Sequence, residues 1–201
     1  DCGVITTRVT QAVAERANAT AVEIFGSAPD GRVQLLITDD SDSANGSAIA
    51  VPYDAIRLYV EPPEDLSPLG DYDDWLTSLV VHEHTHIVHL GMAYGIPRVL
   101  NRVFGKMVTP NQVQPRWFIE GLATYAESRW SGGGRIRSSL FNMYLRTAIL
   151  EDAFPGLDVV SSGGIMWPQG TIAYLYGSHF LDFIARSYGE EKLAEISREY
   201  A

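Results

Sequence analysis

The sequence predicts an α+β fold: a small N-terminal sheet accompanied by one helix, then a mainly helical lobe. Three observations lead there. Apolar residues recur at helical spacing between Val4 and Phe25, short β-rich runs bounded by turn residues follow as far as Glu61, and helical periodicity dominates after Asp71. At 201 residues the chain is long enough for one compact domain with a sizeable core. Residues 1–201 are therefore read as a single domain, sheet-containing over 1–65 and helical over 71–201.

In chain order, Val9, Val13, Ala17, Ala21 and Ile24 mark one face of the first helix. Ala28-Pro29-Asp30-Gly31 then breaks the chain, and Val33 to Ile37 reads as a strand. Asp39 to Ser47 is a polar loop. Its carboxylates Asp39, Asp40 and Asp42 lack the glycine and distal glutamate of a calcium-binding EF-hand, so a solvated turn is expected. Ala48 to Val51 and Ile56 to Val60 are two more short strands, closed by Glu61-Pro62-Pro63.

Asp71 or Asp73 can cap a helix running through Trp75, Leu79 and His82 to about Leu90. A short helix is expected around Pro97 to Phe104. Pro115 suits the first turn of another, through Trp117, Glu120 and Tyr125 to about Arg129. Ser131-Gly132-Gly133-Gly134 is a break, and helices fill Arg135 to Leu150, Gln169 to Tyr188 and Glu190 to Tyr200.

Charge narrows the function. Lys+Arg number 15 against 25 Asp+Glu, a formal net charge of -10, and this speaks against nucleic acid or an anionic membrane surface as partner. No apolar run is long enough to span a bilayer, and no signal-peptide pattern opens the sequence. Cys2 is the only cysteine, so no internal disulfide forms and a free thiol is expected.

The chemistry sits in His82-Glu83-His84-Thr85-His86. His82 and His86 lie four residues apart on a helix, one turn apart on one face, where both imidazoles can share a tetrahedral Zn²⁺. Glu83, beside the first ligand, can reach a water rather than the metal, the H-E-x-x-H arrangement of a metallohydrolase. His84 lies about 200° round the helix from His82 and is expected to face away as a packed histidine. His89 returns to the metal face, yet lies roughly 10 Å along the axis, which leaves it a supporting or cleft residue. A metzincin would need Gly at position 89 and His at 92; the chain has His89 and Met92. A di-iron carboxylate site would need a second E-x-x-H helix, and the sequence has none.

A catalytic zinc needs a third protein ligand. Glu120 is the best candidate, although alone it reads as an exposed helix carboxylate. Thr124 and Glu127 follow on the same face, and Thr124 can hydrogen-bond a ligand.

Trp117-Phe118-Ile119-Glu120-Gly121-Leu122-Ala123-Thr124-Tyr125-Ala126-Glu127 resembles the third-ligand helix of gluzincin peptidases, in which an H-E-x-x-H helix precedes a W-x-x-E-G-x-A helix. Tyr174-Leu175-Tyr176-Gly177 matches their downstream Y-x-x-G helix start. The resemblance is closest to peptidase MA-like domains, spans roughly Asp71 to Tyr200, and implies a thermolysin-like catalytic domain. It carries over His82, His86 and Glu120 as zinc ligands, Glu83 as general base, and Tyr174 as the donor to the oxyanion, with Tyr176 or His179 as alternatives.

It further implies a peptide or protein substrate, an extracytoplasmic location, and a chain excised from a longer protein with a C-terminal β-propeller. The G-x-M-x-N segment with which aminopeptidases hold a free amine is missing, so an endopeptidase is expected rather than an exopeptidase. Domains of this type commonly bind substrate backbone along an edge strand, for which Ala48-Ile49-Ala50-Val51 is the candidate. A catalytically inactive zinc- or peptide-binding module is the alternative.

Overall fold

The computed structural model describes residues 2–42, 44–64, 67, 70, 74–162 and 166–201; in the first helix the side chains are described from Arg8 onward, Val9 excepted. The expected caps Asp71 and Asp73 and the side chains of Cys2 and Val9 lie outside these. The architecture is α+β. Helix α1 (Cys2–Phe25) leads into strands β1 (Gln34–Thr38), β2 (Asn45–Ile49) and β3 (Ala55–Tyr59). Helices α2 (Trp75–Gly91), α3 (Gly95–Phe104), α4 (Arg116–Trp130), α5 (Ser139–Leu150), α6 (Leu157–Ser161), α7 (Ile172–Tyr188) and α8 (Glu191–Tyr200) follow.

The strand order is β1-β3-β2, with β3 parallel to β1 and antiparallel to β2. Ile56 and Leu58 of β3 are fully buried and pack with Val13 and Ala17 of α1 and Leu79 and Val80 of α2. That apolar layer seats α2 on the sheet, leaving β2 as an edge strand beside it.

Strand β2 differs from the sequence expectation, beginning at Asn45 and ending at Ile49. Asn45, Gly46 and Ser47 have little intrinsic strand preference, but they pair with Tyr59, Leu58 and Arg57. Tertiary pairing outweighs composition here, and Ala50 and Val51 fall in the turn that follows. Pro115 precedes α4 as its N-cap rather than lying within its first turn. Arg135–Arg137 is a separate 3₁₀ turn before α5, with Ser138 capping α5 by accepting from the Phe141 amide.

Helix α2 is the centre of the molecule and is buried without interruption from Ser78 to His89. Phe25 of α1, Val88 and Met92 at the end of α2, Phe118 and Leu122 of α4, Leu181 of α7 and Leu193 of α8 form the second apolar cluster. Helices α4 and α7 cross at two glycines. A Cβ added to Gly121 would lie 2.5 Å from the Gly177 carbonyl carbon, and one added to Gly177 would overlap the Trp117 carbonyl oxygen. The two backbones therefore touch directly. That crossing holds the first turn of α7, with Tyr174, beside the first turns of α4, with Glu120. Among the described residues no helix is long and apolar enough to cross a membrane.

Candidate metal centre

His82 and His86 occupy successive turns of α2, and Glu120 approaches from α4, which packs across it. His82 Nε2 and His86 Nε2 are 3.2 Å apart. Glu120 Oε2 lies 3.5 Å from the first and 3.3 Å from the second. Three ligand atoms about 2.0–2.1 Å from a common tetrahedral ion would be separated by about 3.3 Å, so the triangle has the dimensions of a metal site. The atoms also lack other employment: Glu120 Oε2 is buried and finds no partner beyond these two imidazoles. The chemistry of the set, two imidazoles and one carboxylate, suits a divalent transition metal. His82, His86 and Glu120 can thus hold a metal ion.

The plain reading of Glu120 as a solvent-facing carboxylate is corrected: its side chain is only 18% exposed. Burial raises its pKa, but hydrogen bonding and charge from His82 and His86 win and hold the carboxyl well below the usual range. For His82, burial and the Arg135 charge act downward; Glu120 and Glu127 overcome both and keep it up at about 9. A bound cation would take the place of that proton, because a metal ligand must present a lone pair.

Glu83 lines the same cleft, which has a volume of about 330 Å³ and is walled by Asn45, Gly46, Ser47 and Ala48 of β2, Ile119 and Glu120 of α4, and Tyr174. Its side chain lies against the backbone of β2 at Gly46. A Cβ there would sit 2.7 Å from Glu83 Cγ and 2.8 Å from its Oε1, so only glycine lets strand and carboxylate approach this closely.

Tyr174 faces the site, its ring centroid 6.0 Å from that of His82. Burial and the Glu120 charge raise its pKa against Arg135 and Arg116, so the phenol keeps its proton at neutral pH. The alternatives point elsewhere. Tyr176 is buried in the third apolar cluster against Phe154 and does not line the cleft. His179 is half-buried outside the cleft.

His84 faces away from the triad, its Nε2 3.1 Å from Asn18 Oδ1 of α1. Burial lowers its pKa to about 4. His89 is corrected: it neither lines the cleft nor supports a ligand. Its ring is fully buried, stacked on Phe25 and edge-on to Phe118, and burial lowers its pKa to about 3. Helical period returns it to the metal face, but α1 and α4 close over that end of α2.

Thr124 was the expected partner of a ligand, yet its hydroxyl is buried without a partner. Glu127 fills the role, its Oε2 3.1 Å from His82 Nδ1. Burial raises the Glu127 pKa, but Arg135 and His82 outweigh it and bring the carboxyl down to about 2. The signal in the sequence is its position seven residues after Glu120, two turns along one face. Compared with family models, curated proteins and solved structures, the chain matches none.

Proposed function

We propose that this chain is a zinc-dependent peptidase with a thermolysin-like catalytic domain, acting as an endopeptidase. One observation carries the reading: three ligand atoms at tetrahedral-edge spacing in the same cleft as a free-standing glutamate, Glu83. Zinc in such a site supplies Lewis acidity that lets water lose a proton near neutral pH.

The chain's own groups supply the rest. Glu83 accepts the proton of the attacking water and returns it to the leaving amine, general acid–base work for which a cleft carboxylate is suited. The Tyr174 hydroxyl, protonated at neutral pH, donates to the oxyanion as the peptide carbonyl becomes tetrahedral. Among the described residues β2 pairs only with β3, so its other edge is available to an extended peptide, and its residues Asn45 to Ala48 line the cleft. That is the expected strand, moved toward the N-terminus from Ala48–Val51. The extracytoplasmic location and the C-terminal β-propeller rest on the family resemblance alone.

The test is metal content and cleavage measured together. One zinc per chain, cleavage of internal bonds in a peptide library, and loss of that cleavage in Glu83→Gln with zinc retained are expected. Zinc held without any cleavage by the wild type would assign a binding module instead.

A further inference from the structure

Buried polar groups at the site extend one layer beyond Glu127. Arg135, eight residues further on, is only 13% exposed in its side chain and lies in the 3₁₀ turn that closes the α4–α5 connection. Its backbone amide and Nε donate to Glu127 Oε1 at 2.9 and 2.8 Å. Its Nη2 donates to Glu127 Oε2 at 2.7 Å. With His82 Nδ1 on the same oxygen, Glu127 has four donors and no unused lone pair.

The turn that makes this possible begins at Gly134, with φ +92°, a region that side-chain-bearing residues rarely adopt. It brings Arg135 back over the last turns of α4. The guanidinium carbon then lies 4.7 Å from the centre of the Tyr174 ring.

Nη2 is also 2.7 Å from His82 Nδ1. Both atoms carry hydrogens when His82 turns its Nε2 lone pair toward Glu120 and His86, so neither can accept from the other. Both then donate to Glu127 Oε2. The fork of Arg135 thus holds that oxygen in place and keeps the buried carboxylate ionised, and the ionised carboxylate holds the proton on His82 Nδ1.

We propose that Arg135 is a positioning residue that sets His82 and Tyr174 in one frame, through Glu127 on one side and the Tyr174 ring face on the other. Arg135 also lines the cleft, and the role assigned to it is to hold these two side chains. The proposal rests on the zinc peptidase reading and refines it.

The experiment is zinc affinity by chelator competition, with the visible spectrum of the cobalt-substituted protein, for wild type, Arg135→Gln and Arg135→Lys. Arg129→Gln, which alters a surface ion pair with Glu190, is the control. Arg135→Gln is expected to weaken zinc binding about 10–100-fold and to shift the cobalt bands. Arg135→Lys keeps the charge without the planar fork and should fall between. It also keeps the measurement possible if the neutral variant does not fold.

In kinetics, kcat should fall in Arg135→Gln with little change in KM. The loss in the Arg135→Gln/Tyr174→Phe double variant should be smaller than the two single losses combined. Folded Arg135 variants with wild-type zinc affinity and unaltered cobalt bands would overturn the proposal while leaving the peptidase reading intact. A wild-type chain that takes up no zinc would overturn that reading first, in the same titration.

Discussion

The imidazole of His82 and the carboxylate of Glu127 meet at 3.1 Å, Nδ1 to Oε2, with both side chains buried. This contact fixes which ring nitrogen of His82 faces Glu120 and His86. Glu127→Gln keeps the shape but removes the charge that holds the Nδ1 proton and neutralises Arg135. Zinc affinity is expected to fall about 10–100-fold, read by chelator competition, and unchanged affinity would remove Glu127 from the site.

The two tyrosines of the α7 start separate cleanly. Tyr174→Phe should lower kcat by about 10²–10³ with KM nearly constant, because the lost donor acts only as charge develops on the carbonyl oxygen. Tyr176→Phe should leave kcat unchanged: its hydroxyl has no partner and lies in the apolar cluster with Phe141 and Leu175. Steady-state kinetics on both variants decides which tyrosine serves the reaction.

Gly46→Ala places a methyl group within 2.7 Å of Glu83 Cγ, so the flexible carboxylate must move. A displacement of about 1 Å in a reacting group costs on the order of 10²-fold in rate. Turnover should fall by up to that factor while zinc stays bound, and wild-type turnover would detach Glu83 from the catalytic role.

Chelation should destabilise the fold. A metal present at about 1,000 times its Kd stabilises the folded chain by about 4 kcal/mol, so its removal should lower Tm by roughly 10 °C in a domain of this size. Glu120→Ala should already melt at the chelated temperature and respond little to zinc. Calorimetry with and without chelator reads both.

Acid should weaken the metal-free protein before its carboxylates titrate. The folded chain holds His84 at about 4 and His89 at about 3, both below the ordinary histidine value of 6.5. Between 6.5 and about 4 the unfolded chain therefore binds protons that the folded chain refuses, and stability falls as pH falls. His82, held up at about 9, is protonated in the folded metal-free chain throughout that window, so its contribution stays at its full value below 6.5 and is lost only as pH rises through 9. Denaturant midpoints from pH 7 to 4 should decline, and less steeply in His84→Gln.

Much of the site was legible because its core obeys local rules. A four-residue spacing on one helix brings His82 to His86, and the W-x-x-E-G-x-A wording singles out Glu120. Glu127 and Arg135 were harder to read. Their contacts with His82 span 45 and 53 residues: Glu127 reaches it only through the packing of α4 on α2, and Arg135 only through a turn whose direction a glycine-rich stretch does not announce. Strand β2 was misplaced for a similar reason: Asn45-Gly46-Ser47 becomes a strand only because β3 offers it a ladder. The far end of α2 shows the limit of periodicity, which gives His89 its direction around the helix and says nothing of what covers it.

The crossing of α4 and α7 has a mechanical meaning for the cleft. Where backbone rests on backbone at Gly121 and Gly177, the separation is a hard stop set by main-chain atoms, with no rotamer available to adjust it. Glu120 and Tyr174 stand on either side of that stop, one residue and three residues away. The gap between them behaves as a fixed gauge, indifferent to repacking elsewhere in the helical lobe. A methyl group inserted at either glycine would act as a wedge, opening the jaws of the site rather than loosening them.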